Sequence, residues 1–166
     1  MRRTIAAGVA VASLALGPGA ATAAAPKKIT FAGVGQVTLG KTFKTLRAQG
    51  LVGKLKKGCE LAPNTRTAKL LSPLKGSVNF SQSNPRKASD ITIRGGAEAR
   101  GVGIGDTLAD IKAKFPKRKV DHSQEDVFGL TFVEIPKKSD PKLMFAIDVG
   151  TKKITLIGVP IIALCE

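Results

Sequence analysis

The 166-residue chain has no Trp and no Tyr, and it holds one His, two Cys and seven Phe. Without Trp and Tyr it lacks the platforms on which single-stranded nucleic acids usually stack. It also lacks two of the three residue types that dominate hot spots at protein interfaces. One His and a single far-apart Cys pair leave little material for a metal site, and no cofactor-binding or catalytic residue is expected. Acids are scarce, with 12 Asp and Glu against 27 Lys and Arg, for a formal charge of +15. The ten acids of the second half show no calcium-loop spacing. What is present is 43% hydrophobic residues, which excludes a disordered chain, and 18 Gly and 9 Pro, which indicate frequent turns rather than a helical bundle. The length suits one domain with a modest core.

Residues 1–23 read as an export signal. Arg2 and Arg3 supply a positive start, Ile5 to Leu16 is an unbroken apolar and small-residue run, and Pro18-Gly19 breaks it. Ala21-Thr22-Ala23 is the small-residue cleavage pattern. The apolar run is short for a membrane span of about 20 residues, and nothing after it is apolar enough to cross a membrane. The expected mature protein starts at Ala24, carries no lipid, and is secreted or periplasmic. In that oxidising compartment Cys59 and Cys165 have one possible pairing. Two free buried thiols and an intermolecular bond are the alternatives.

The charge is unevenly spread. Residues 24–95 hold 14 basic and 2 acidic residues, a net +12, whereas residues 96–166 hold 11 and 10, a net +1. Much of the excess lies in Lys54, Lys56, Lys57, Arg66, Lys69, Lys75, Arg86 and Lys87. These are the candidates for a face that meets an anionic partner; the plainer reading is a solvated surface that keeps the protein soluble. Lys outnumbers Arg 19 to 6 after residue 23, which favours diffuse attraction over a shaped, bidentate pocket. Export makes a natural nucleic-acid partner unexpected.

The chain is also self-similar. Val37 to Ala48 aligns with Val102 to Ala113 at an offset of 65, sharing Val, Gly, Thr and the apolar positions. Gly40 and Gly105 fit tight turns, and Thr42 and Thr107 stand where helix N-caps are needed. Asp110 completes a capping-box-like pair with Thr107. Leu108, Ile111 and Phe115 form one helical stripe, and Gly50 and Pro116 stop the two helices. Val78-Phe80 and Ile91-Ile93 read as short strands flanking a polar loop, and Leu143 to Val149 alternates with period two. Val127 to Ile135 is apolar on both phases, with Gly129 as a bulge, and Arg94 to Arg100 reads as a connector. The expected architecture is α+β: two tandem strand–helix–antiparallel-meander repeats, 28–97 and 98–166, forming one globular unit over 28–166.

The Gly-x-Thr turn before an amphipathic helix and a meander resembles the tandem repeat of the secreted beta-lactamase inhibitor proteins. It also resembles the small lipoproteins of outer-membrane barrel assembly. The runs Gly33-Val34-Gly35-Gln36-Val37-Thr38-Leu39-Gly40-Lys41-Thr42 and Gly101-Val102-Gly103-Ile104-Gly105-Asp106 look closer still to an uncharacterised group of secreted bacterial two-repeat proteins. A Cys in the first repeat and one at the C-terminus fit that group. The inhibitor resemblance implies a concave sheet that holds an enzyme loop, yet the aromatic anchors of that mode are missing. The lipoprotein resemblance implies a lipidated N-terminal Cys, also missing.

Two motifs invite chemistry. Gly35 to Thr42 formally fits the phosphate-loop pattern G-x-x-x-x-G-K-T, but Val37-Thr38-Leu39 reads as strand and a capped helix explains the rest. Asp121-His122-Ser123 with Glu125 and Asp126 combines acid, base and hydroxyl types, yet sequence neighbours point apart, and a polar hairpin turn is expected. The sequence thus predicts a non-enzymatic secreted, monomeric binding protein. Its basic first repeat would associate with an anionic cell-envelope polymer or an acidic protein. The alternative is a protein-binding or enzyme-inhibitor module.

Overall fold

A computed structural model of the protein describes residues 25–58, 64–137 and 142–164. The expected export signal, Cys59 and Cys165 lie outside the described residues. In chain order the strands and helices are β1 (Lys27–Thr30), β2 (Gly33–Val34), β3 (Val37–Thr38), α1 (Phe43–Ala48), β4 (Lys56–Lys57), β5 (Arg66–Lys69), β6 (Lys75–Phe80) and β7 (Ala88–Gly95). They continue with β8 (Ala97–Ala99), β9 (Val102–Gly103), α2 (Leu108–Lys114), β10 (Lys119–Asp121), α3 (Glu125–Phe128), β11 (Leu130–Ile135), β12 (Leu143–Asp148) and β13 (Ile154–Val159).

The α+β fold of two tandem strand–helix–meander repeats expected from the sequence is corrected by this content. Strands hold 44% of the described residues and helices 13%. The helices are only six, seven and four residues long, so the protein is mostly β. Cap and stop signals bracket α1 and α2, which end just before Gly50 and Pro116, but the short strands around them carry no such signal.

One sheet has eight strands in the order β10-β11-β12-β13-β7-β6-β5-β4. It consists of two meanders joined where β13 and β7 pair antiparallel, with Ile157 opposite Ile93 and Gly158 opposite Thr92. The other has five short strands, β3-β2-β1-β8-β9, all antiparallel except for the parallel β1–β8 pair. Residues 94–100, expected as a connector, instead hold the end of β7 and all of β8.

Local chemistry explains the two helix starts. Gly40 and Gly105 have φ of +79° and +95°, which favours Gly. Each turn is tied to a strand of the large sheet in the same way. Gly40 N–H donates to Ala88 C=O and Ala88 N–H to Lys41 C=O, while Gly105 N–H donates to Ile154 C=O and Ile154 N–H to Asp106 C=O. Thr42 Oγ1 accepts from Thr45 N–H at 3.1 Å and so caps α1. At α2 the direction is reversed, because the Asp110 carboxylate accepts from both the N–H and the hydroxyl of Thr107, at 2.8 and 2.7 Å.

The core lies between the large sheet and the layer of α1, α2 and the small sheet. Leu46 and Ile111 are fully buried in one cluster with Val78, Phe80, Ile91, Ile93, Phe145 and Ile157. Phe43 meets Phe80 edge-on at 5.4 Å, and Phe115 meets Phe145 at 5.7 Å. A second cluster sits on the opposite face of the sheet. There Phe132, Ala146 and Leu156 are covered by Ile162 from the segment after β13. The stretch from Val127 differs from its expected form. Val127 and Phe128 belong to α3, and Gly129, at φ +64°, ends that helix rather than bulging a strand.

Candidate anion-binding cleft

Strands β5, β6 and β7 form a meander whose register fixes which side chains share a face. Lys69 stands opposite Ser77, and Ser77 opposite Thr92. Because side chains alternate, Arg94, two positions after Thr92, joins the same face. Lys75 stands opposite Gly95. Its stem crosses the space a side chain would fill there, with Cδ 3.4 Å from the position of a Cβ on Gly95. Gly76 has no room for a side chain, since its Cβ would lie 2.0 Å from the Thr92 carbonyl oxygen.

Lys69, Lys75 and Arg94 thereby converge on one open cleft of about 420 Å³, lined also by Leu70, Leu74, Gly76 and Ser77. No acid lines it. Among the described residues none of the three cationic side chains makes a hydrogen bond or an ion pair. The ion pairs found among those residues, His122–Glu125 at 2.6 Å and Lys142–Glu134 at 3.0 Å, both lie in the second half. Asp90 is the one acid among the described residues before β8. It accepts from Asn79 Nδ2 at 2.8 Å and from Ser89 Oγ at 2.9 Å. Burial pushes its carboxyl above the ordinary range against the opposing pull of those two donors.

Of the eight basic candidates, the structure brings Lys69 and Lys75 into the cleft. Lys54 is close by in the chain, since Gly53 N–H donates to Lys69 C=O at 2.8 Å. Lys56 pairs across from Thr67, and Lys57 across from Arg66. Arg66 stands three residues from Lys69 along β5, about 10 Å away and on the opposite face, while Arg86 and Lys87 lie beyond the far end of β6, about 17–20 Å or more from Lys75. Arg66 donates to Thr65 C=O at 3.0 Å and Arg86 to Ser81 C=O at 3.2 Å. The eight therefore do not form one patch. Arg94 was not among them, although the alternation Ile91-Thr92-Ile93-Arg94 carries the signal that sets Thr92 and Arg94 on one face.

The other chemical motifs resolve locally. Gly35 to Thr42 holds the β2–β3 hairpin turn and the α1 cap, and Lys41 Nζ donates to the Gln36 carbonyl at 3.0 Å. Beside the start of α2, Thr107, Leu108, His122, Glu125, Thr131 and Lys152 line a second open cleft, of about 390 Å³. Here Glu125 accepts from the Thr131 hydroxyl and pairs with His122 Nδ1. Those contacts hold its carboxyl below the ordinary range. Asp121, expected beside His122, instead accepts from Ser123 N–H at 2.8 Å. Imidazole and hydroxyl thus share one carboxylate, and no hydrogen bond joins them to each other. Among the described residues no three His, Cys, Asp or Glu side chains gather as metal ligands. No helix there is long and apolar enough to cross a membrane.

No family model matches the chain, and no curated protein or solved structure proves similar to it.

Proposed function

We propose that this is an exported, non-enzymatic binding protein whose basic first half associates with an anionic polymer of the cell envelope or an acidic protein surface. The convergence of Lys69, Lys75 and Arg94 on a cleft without an acid carries the reading. Being unpaired does not single these three out, because among the described residues Lys142 is the one Lys or Arg in an ion pair; their gathering on one cleft does. The asymmetry of +12 against +1 between the halves points to the same region.

Retention on immobilised heparin or polyphosphate, followed across salt concentration, tests this. Binding should weaken steeply with salt. Changing Lys69, Lys75 and Arg94 together to Glu should flatten the log–log salt slope by about 2–3, since each phosphate-type contact contributes up to about 0.9. The same exchange at Lys112, Lys114 and Lys117 alters net charge equally and should matter less. Equal effects from both triples, or no retention even at low salt, would overturn the reading. A proteinaceous partner held at high salt would support the inhibitor-type alternative instead.

A further inference from the structure

We infer that the cleft of Lys69, Lys75 and Arg94 is a specific site for a dianionic phosphomonoester, and not merely part of a diffuse field. The inference rests on the binding reading above and deepens it. Three positive charges come from three adjacent strands, β5, β6 and β7, and face one cavity large enough for a small phosphorylated polyol. A phosphodiester or carboxylate brings one negative charge to this set, and a monoester brings two.

The groups also differ in kind. Arg94 supplies the single planar fork, which matches two oxygens of one phosphoryl group, while the two Lys side chains are mobile point charges that close on the remaining oxygens. Ser77 Oγ makes no hydrogen bond among the described residues and is available to an oxygen of the ligand. Leu70 and Leu74 border the cleft but are 6% and 8% exposed and belong to the main core, so recognition rests on the cationic groups and Ser77. Asp90 lies on the same face, opposite Asn79, but its oxygens are taken by Asn79 and Ser89. It stands four positions from Arg94 along β7, about 13 Å away, and does not line the cleft.

Calorimetric titration with glycerol 3-phosphate and with dimethyl phosphate, at constant ionic strength, separates the alternatives. The monoester should bind about ten-fold tighter than the diester at about pH 7.5. That margin should shrink at about pH 5, where a phosphate with a second pKa near 6 is a monoanion. Among the described residues no lining side chain is an Asp, Glu or His, and Asp90→Asn, which removes the one acid of that half of the face, should show the same shrinking margin because the change follows the ligand. Arg94→Lys preserves the charge and removes the fork. It should weaken the monoester several-fold, and a thermal melt confirms that the variant is folded. Phosphatidylcholine vesicles with and without phosphatidic acid show whether the same group is taken from a lipid. Capture by phosphatidic acid, without binding of the soluble ester, supports the site and places its ligand in a lipid. Equal or absent binding of both small esters and of both vesicles, with heparin retention intact, overturns the site and leaves the polyanion reading standing. Loss of all binding removes both.

Discussion

On the face of the large sheet turned away from α1 and α2, β5 to β7 carry Thr67, Lys69, Ser77, Asn79, Thr92 and Arg94. The same face of β11 to β13 carries Phe132, Met144, Ala146 and Leu156. The apolar half is closed by residues 160–164, with Ile162 packed into the cluster and Leu164 against it. The polar half holds the acid-free cleft. At the β7–β13 seam between them, Thr92 faces Gly158. Where the sheet face is apolar, the chain supplies its own cover. Where it is polar and cationic, a partner has room to bind. The difference shows how one sheet can be stabilised at one end and left available at the other.

Truncation on the covered side should produce the largest effect. Leu156→Ala removes a 4% exposed side chain from between the sheet and the returning segment and should cost about 2–5 kcal/mol in urea unfolding. Gly158→Ala should follow at about 1–3 kcal/mol. Its Cβ would lie 2.4 Å from the Ile161 carbonyl oxygen and 2.5 Å from Ile162 Cγ1, so the segment must lift. Ser77→Ala on the open side should stay within about 0.5 kcal/mol. If Ser77→Ala and Leu156→Ala cost the same, the contrast between the halves does not hold.

The contrast was only partly legible in the sequence. Gly40 with Thr42, and Gly105 with Thr107, marked the helix starts because caps and positive-φ turns are local. The stripe Leu108, Ile111, Phe115 likewise reports the buried side of α2. Fold class was not legible: Gly50 and Pro116 marked the helix ends, but strands as short as β2, β3, β8 and β9 carry no readable period. Val127 and Phe128 misled because apolar residues read as buried strand, yet they are 72% and 40% exposed on α3. Lys69 and Lys75 stood out by charge. Their meeting with Arg94 depends on the register Lys69–Ser77–Thr92, a long-range pairing that no local pattern encodes.

Smaller effects sharpen the functional side. Reversing Lys54, Lys56 and Lys57 to Glu on the β4 side should reduce polyanion retention less than reversing the cleft triple. Unpaired like charges also repel one another. Lys75→Gln should therefore raise stability by a few tenths of a kcal/mol at low salt, and added salt should erase the gain. Lys142→Gln, which removes the partner of Glu134, should move stability slightly the other way. A loss of stability in Lys75→Gln would assign that side chain to packing.

Asp90 gives the most diagnostic change, because it is a buried acid on the open face. Its burial outweighs the donors Asn79 and Ser89, so the folded protein holds the Asp90 proton more tightly than the unfolded chain does. The sign follows from linkage. Above the raised folded-state pKa the ionised group is a net cost to folding. As pH falls through that value toward the ordinary carboxylate range, the cost is relieved. Asp90→Asn removes the charge while its amide oxygen still accepts from Asn79 and its amide nitrogen donates to the Ser89 hydroxyl. The variant should be more stable than the parent at about pH 7 by about 1 kcal/mol or less, with the margin shrinking toward about pH 4. Urea midpoints at the two pH values measure it. A variant less stable than the parent at neutral pH would mean that Asp90 is ionised to answer the nearby cations. The cleft would then hold its own counter-charge, and its claim on an external anion would weaken accordingly.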